Sequence, residues 1–81
     1  MPRTEEQFEE IREQKRALIM STSMELFAEE GYHNVSISKI ADKAGISKGL
    51  MYNYFKSKEA LIITIIEQGI EELLDLFDPN H

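Results

Sequence analysis

Ser36-Ile37-Ser38-Lys39-Ile40-Ala41-Asp42-Lys43-Ala44-Gly45-Ile46-Ser47-Lys48-Gly49-Leu50-Met51-Tyr52-Asn53-Tyr54-Phe55 is the stretch that decides the fold. Ser36 is a good helix cap, because its side-chain oxygen can accept an otherwise unpaired N–H of the first turn. It predicts a helix over Ile37–Ala44. At about 100° per residue, Ile37, Ile40, Ala41 and Ala44 share one face, and Ser38, Lys39, Asp42 and Lys43 share the other. Gly45 ends that helix, Ile46 follows as an apolar anchor, and Ser47 caps a further helix from Lys48 to Tyr54 or Phe55. Two short helices thus flank Ala44-Gly45-Ile46-Ser47, a tight turn with glycine where the chain must bend. That is the pattern of a helix-turn-helix.

Working outward, Thr4 with Gln7 forms a capping-box signature and predicts a helix starting near Glu5. Phe8, Ile11, Lys15, Leu18, Ile19, Thr22, Leu26 and Phe27 recur along it at helical spacing. Its first part, Glu5 to Glu13, is dense in acid and is expected to extend beyond the core. Gly31 closes it in a left-handed conformation, and Tyr32-His33-Asn34-Val35 reads as a connecting turn. On the other side, Ser57 caps a helix starting at Lys58. Its Leu61, Ile62, Ile63, Ile65, Ile66, Ile70, Leu73, Leu74, Leu76 and Phe77 are too many for one buried stripe, and Asp78-Pro79 is expected to stop it. The fold class is all-α: a three-helix bundle containing a helix-turn-helix, plus a fourth connecting helix. Residues 1–58 read as one domain and 59–81 as the start of the connecting helix, whose second apolar face has no partner within the chain.

The chain of 81 residues is 42% hydrophobic, enough for one packed core. It has no cysteine, which excludes disulfides, thiolate metal sites and cysteine nucleophiles and fits a reducing compartment. Pro2-Arg3-Thr4-Glu5-Glu6 runs straight into charge, so no secretory leader is read there, and no apolar run approaches the roughly 20 residues of a membrane span. The net charge of −6 argues at first against nucleic acid. Its distribution does not: residues 1–31 carry net −4, residues 32–58 carry net +4 from Lys39, Lys43, Lys48, Lys56 and Lys58 against Asp42, and residues 59–81 carry net −6. Salt screens charges beyond about 10 Å, so local charge governs contact, and the middle third suits a phosphate-facing surface.

On the third helix Lys48, Gly49, Tyr52 and Asn53 share one side. Met51 and Phe55 point with Ile46 toward the core, and Leu50 and Tyr54 lie at the boundaries. The outer side combines a cation, a glycine that admits close backbone approach, a phenol and an amide. Lysine can donate to guanine or phosphate, asparagine can pair with adenine, and the tyrosine ring can contact a thymine methyl. The same face could instead be an ordinary solvated surface, or serve protein contacts.

The run from Leu26 to Leu61 resembles the N-terminal domain of the TetR (tetracycline-repressor) family of bacterial transcription regulators. The matching elements are Leu26-Phe27 followed by Gly31-Tyr32, Ser36 ahead of Ile40-Ala41, Ala44-Gly45-Ile46-Ser47, Lys48-Gly49, Tyr52-x-Tyr54-Phe55 and Lys56-Ser57-Lys58-Glu59-Ala60-Leu61. So many elements in register make the match specific. The resemblance implies a three-helix DNA-binding domain joined by a fourth helix to a larger domain that dimerises and binds a small-molecule inducer. It further implies that Ser36 contacts phosphate at a helix N-terminus, with Ser38 and Lys39 near the backbone or groove edge. Ser47, Lys48, Gly49 and Tyr52 would make the groove contacts, with Lys48 as base reader, Asn53 and Tyr54 would hold flanking phosphates, and Lys58 would clamp another. Leu50 departs from the small polar residue often seen at its position, which leaves a thymine methyl as its natural contact.

The expected function is a sequence-specific, repressor-like DNA-binding domain acting in the cytoplasm on the nucleoid. Its expected partners are a palindromic double-stranded operator and a second copy, joined through the fourth helix or a C-terminal domain outside this chain. A small-molecule inducer follows only if that domain exists. No cofactor, metal or membrane partner is expected: nothing in the spacing of His33 and His81 suggests that they converge with carboxylates, and Glu71-Glu72 read as a solvated face rather than an acid–base pair. No nucleophile elbow or phosphate-binding loop suggests an enzyme. Arg12 and Arg16 are expected to pair within the first helix with Glu9 and Glu13. The rival reading is a helical protein–protein interaction or dimerisation module that does not bind DNA, its support being the apolar fourth helix.

Overall fold

The computed structural model describes residues 4–77. In chain order they form α1 (Glu5–Glu30), a 3-10 turn (Tyr32–Asn34), α2 (Ile37–Ala44), α3 (Lys48–Tyr54) and α4 (Lys58–Leu76), with no strand among the described residues. A hydroxyl sets every α-helix start. Thr4 Oγ1 accepts from the Gln7 N–H at 3.2 Å while Gln7 Oε1 accepts from the Thr4 N–H at 2.9 Å, a complete capping box. Ser36, Ser47 and Ser57 accept from the N–H groups of Lys39, Leu50 and Ala60 at 3.1, 3.1 and 3.0 Å. Each cap satisfies a donor that the helix cannot pair internally.

The turn between α2 and α3 is a Schellman motif. Gly45 sits in the left-handed region at φ 74°, ψ 30°, and the Gly45 and Ile46 N–H groups donate to the carbonyls of Asp42 at 3.2 Å and Ala41 at 3.0 Å. Ile46 then packs against the core. Gly31, also expected to be left-handed, has φ 87° but an extended ψ of 141°. The difference follows from its neighbours: its N–H closes α1 on Phe27, and its carbonyl accepts from Asn34 at 3.1 Å to open the 3-10 turn.

The core joins all four α-helices. Ile19 and Leu26 of α1, Val35 between the 3-10 turn and α2, Ile40 and Ala41 of α2, Met51 of α3, Phe55 just after it, and Leu61 of α4 are buried. Phe27, Ile37, Ile46, Tyr54 and Ile65 pack around them half-buried. The apolar face predicted for α2 and the inward set of α3 are therefore the observed ones. Most of the expected α1 stripe is observed: Ile19, Thr22 and Leu26 are buried and Ile11, Lys15 and Phe27 half-buried. Met20 and Ser23 are buried beside them, whereas Phe8 is 56% and Leu18 41% exposed. Phe8 sits in the acidic first turns, where Thr4 to Glu10 are all exposed. Ser23 enters the core because its hydroxyl donates to the Ile19 carbonyl at 2.6 Å, so no hydrogen bond is lost on burial.

The connecting helix touches the core only at its start. Leu61 is buried and Ile65 packs beside it, but from Ile66 onward every described residue is exposed. Ile63, Ile66, Ile70 and Leu73 are 52 or 53% exposed. The two-sided apolar character read from the sequence is thus real, and its inner face is covered for a shorter length than expected. The stop at Asp78-Pro79 lies outside the described residues, as do Arg3 and His81.

Candidate nucleic-acid interface

α3 is a short helix with two sharply different faces. Met51 is fully buried and Phe55, just past its end, nearly so. Lys48, Gly49, Tyr52 and Asn53 are exposed, and Leu50 and Tyr54 lie half-buried between them. The side chains that can address a ligand therefore stand on a helix whose opposite side is locked into the core. A Cβ added at Gly49 would meet nothing within 4 Å, so the backbone there faces open space.

The expected site residues divide into those that converge and those that do not. Ser36 and Ser38 from α2, Lys48 and Tyr52 from α3 and Lys58 at the start of α4 line one open cleft, together with His33 and Asn34 of the 3-10 turn. Ser47, Gly49 and Asn53 lie outside that cleft on the exposed surface of α3. Tyr54 packs against the core rather than standing free. Lys39 turns away from the cleft toward α1, where its ammonium is paired with Glu30. Lys43, on the same face of α2, reaches Glu25 at 3.9 Å. Sequence reasoning placed His33 and Asn34 in a turn but did not foresee that the turn forms a wall of the cleft. The two interhelical ion pairs were also not foreseen.

Lys58 is held in place before any ligand arrives. Its ammonium donates to the Tyr32 carbonyl at 2.8 Å and lies 4.2 Å from the centre of the Tyr32 ring. That ring also meets Phe27 edge-on at 5.1 Å and His33 at 5.3 Å, so the 3-10 turn, α1 and α4 are joined at one point. The Tyr32 phenol titrates above its ordinary value of 10.0, through desolvation and then the nearby Glu59 carboxylate. Arg16 does not pair with Glu13 as expected, nor Arg12 with Glu9. The Arg16 guanidinium lies 5.6 Å from the Phe55 ring centre, a cation–π contact. Packing on an aromatic ring competes well here, because an exposed pair three residues apart on a helix contributes only about 0.2–0.5 kcal/mol.

No group of three or more His, Asp or Glu side chains among the described residues could hold a metal ion. No described helix is long and apolar enough to cross a membrane. What the arrangement can do is bind a polyanion. It offers lysine ammonium groups, serine hydroxyls at two helix N-termini and an exposed tyrosine beside them. Two short helices joined by a Gly45 turn, the second presenting this face from a rigid seat, define a helix-turn-helix DNA-binding module.

The comparisons with known proteins make the class specific. Residues 19–65 match the family described as bacterial regulatory proteins, tetR family. An uncharacterized HTH-type transcriptional regulator, YuxN of Bacillus subtilis, is 45% identical over 53 residues, 65% of this chain and 18% of that protein. The HTH-type transcriptional activator FasR of Mycolicibacterium smegmatis is 32% identical over 63 residues, 78% of this chain and 29% of that protein. The crystal structure of a transcriptional regulator of the TetR/AcrR family from Thermobifida fusca superposes with a TM-score of 0.77 at 39% identity, covering 79% of this chain and 35% of that one. The chain belongs to the TetR family of bacterial transcription regulators and carries its helix-turn-helix DNA-binding segment. It spans less than a third of the length of these curated relatives.

Proposed function

We propose that residues 1–58 are the DNA-reading domain of a dimeric, repressor-like regulator that acts in the cytoplasm on a two-fold symmetric operator. Residues 59–81 begin the helix that leads to a dimerising, inducer-binding domain. Each α3 enters a major groove, with Lys48 and Tyr52 at base edges and Ser47, Gly49 and Asn53 alongside. Ser36, Ser38 and Lys58 hold the phosphates that flank the groove, and Tyr54 fixes α3 from its half-buried boundary position. Lys39 joins them once it leaves Glu30. The observation that carries this reading is the shared cleft, in which residues suited to bases and residues suited to phosphate sit side by side on three elements. No catalytic step belongs to it.

The exposed stripe Ile63, Ile66, Ile70 and Leu73 on α4 supports the dimerising part, and it is also the observation that favours the rival, a self-associating helical module without DNA. One experiment separates them. Selection of bound duplexes from a random library should return half-sites in inverted repeat, with centres about 10 base pairs, or a multiple, apart. Lys48→Ala should weaken binding to the selected sequence about five- to a hundred-fold, the range for one good base contact. Recovery of unselected sequence, with binding indifferent to salt, would rule out the DNA reading. A promoter–reporter strain tests the sign, repression being expected when the operator overlaps the promoter.

A further inference from the structure

We infer that Glu30 is an internal competitor for DNA phosphate: it holds Lys39, lowers affinity for duplex of any sequence, and leaves discrimination to α3. The inference rests on the DNA-binding reading above and adds an affinity-setting residue outside the reading face. α1 ends at Glu29-Glu30, and Gly31 and the 3-10 turn fold the chain back so that Glu30 meets the first turn of α2. There its carboxylate is paired with the Lys39 ammonium. The end of α1 is fixed at that point, because the Glu30 carbonyl also accepts from Asn34 Nδ2 at 2.9 Å. One turn along, Lys43 faces Glu25. Both lysines on the outer face of α2 are thus turned to carboxylates of α1, whereas Lys48 on α3 pairs with no carboxylate among the described residues.

The consequence for binding follows from mass action. Phosphate contacts supply the sequence-independent part of DNA affinity. A lysine already neutralised by its own protein must give up that partner first. The side chains of Lys39 and Glu30 are 47% and 34% exposed, so the pair is a surface pair and the competition it offers is limited to at most about five-fold in affinity. That is small against one base contact, but it acts equally on every competing site. Acting alike on operator and competing DNA, it sets the overall strength and salt dependence of binding and leaves the ratio between them to α3.

The test is fluorescence anisotropy of a labelled random-sequence duplex, titrated with the full chain across a range of potassium chloride concentrations. Four proteins are compared with the parent: Glu30→Gln, Glu29→Gln, Lys39→Gln and the Glu30→Gln/Lys39→Gln double variant. Glu29 is exposed and forms no ion pair among the described residues, so it controls for the change in net charge. Glu30→Gln should tighten binding about two- to five-fold and steepen the salt dependence by up to about 0.9 in log–log slope, the contribution of one freed lysine. Glu29→Gln should do markedly less, and Glu30→Gln should have no such effect once Lys39 is Gln. Equal tightening by the two glutamate variants, or tightening that survives in the double variant, would overturn the competition and reduce it to net charge. Binding by the parent that Glu30→Gln leaves unmoved would overturn it as well while sparing the DNA reading. Absence of salt-dependent binding by all five proteins would overturn both.

Discussion

The two faces of α3 can be separated by two adjacent substitutions. Met51 is fully buried among residues from every other helix of the domain, and Tyr52 beside it is 44% exposed. Truncating a buried methionine to alanine removes its transfer free energy and leaves a cavity, together about 2–5 kcal/mol. A domain of this size has roughly 0.05–0.15 kcal/mol of stability per residue, about 4–12 kcal/mol in all, so Met51→Ala should remove a large share of it. Each kcal/mol moves the melting midpoint of such a domain by about 4–8 °C, so a cost near 3 kcal/mol lowers Tm by about 12–24 °C. Tyr52→Ala should move it by only a few degrees, yet abolish preference for a selected operator. Far-ultraviolet circular dichroism on heating, beside an operator titration at low temperature, reads both. Equal Tm shifts for the two variants would refute the seating of α3, and Tyr52→Ala binding like the parent would refute its reading face.

Further outcomes follow from the turns, the caps and α4. Gly45→Ala places a Cβ at φ 74°, and although nothing crowds it, the left-handed conformation alone should cost about 1–2 kcal/mol, seen as a Tm drop of several degrees. Ser36→Ala should cost about 1 kcal/mol by loss of the cap, whereas Ser36→Asp should keep the cap and the melting temperature but weaken DNA binding by setting a carboxylate against phosphate. If both Ser36 variants bind DNA like the parent, Ser36 is a cap only. Ile66→Glu/Ile70→Glu should leave Tm within a few degrees, because both side chains are about half exposed, and should remove any self-association seen by sedimentation. Persistence of the oligomer would mean that this stripe is not the surface involved.

Local chemistry explains what the sequence makes legible. Ser36, Ser47 and Ser57 mark the starts of α2, α3 and α4 because capping involves a residue and its own next few amides, and Gly45 marks the turn for the same reason. The inward and outward sets of α3 follow from periodicity on a short helix with one neighbour side. α1 is harder. It carries apolar residues on more than one flank, and only contact with α2 and α4 selects Ile19, Met20 and Leu26 over Leu18 and Phe8. A buried serine is invisible to pattern reading unless its bond back to the Ile19 carbonyl is known. The Glu30–Lys39 and Glu25–Lys43 pairs join different helices, so they depend on how the chain folds back, and nearest-neighbour spacing pointed instead to Glu13 for Arg16. In the cleft, Lys48 and Tyr52 could be read from their helix, but the wall formed by His33 and Asn34 required the path of the 3-10 turn.

The serine caps have one more implication. A hydroxyl that receives an amide hydrogen spends a lone pair and keeps its own proton. At Ser36 and Ser47 that proton is directed by nothing else in the described molecule, and the amide's approach polarises the O–H bond so that it donates more strongly. The atom that starts each of these helices is thereby primed to give a hydrogen bond outward to an acceptor-only partner such as a phosphate oxygen. Threonine could fill both offices, whereas an ionised aspartate, which only accepts, could fill the inner one alone. Serine at both positions thus lets a single atom set where a helix begins and offer a donor to what is held there.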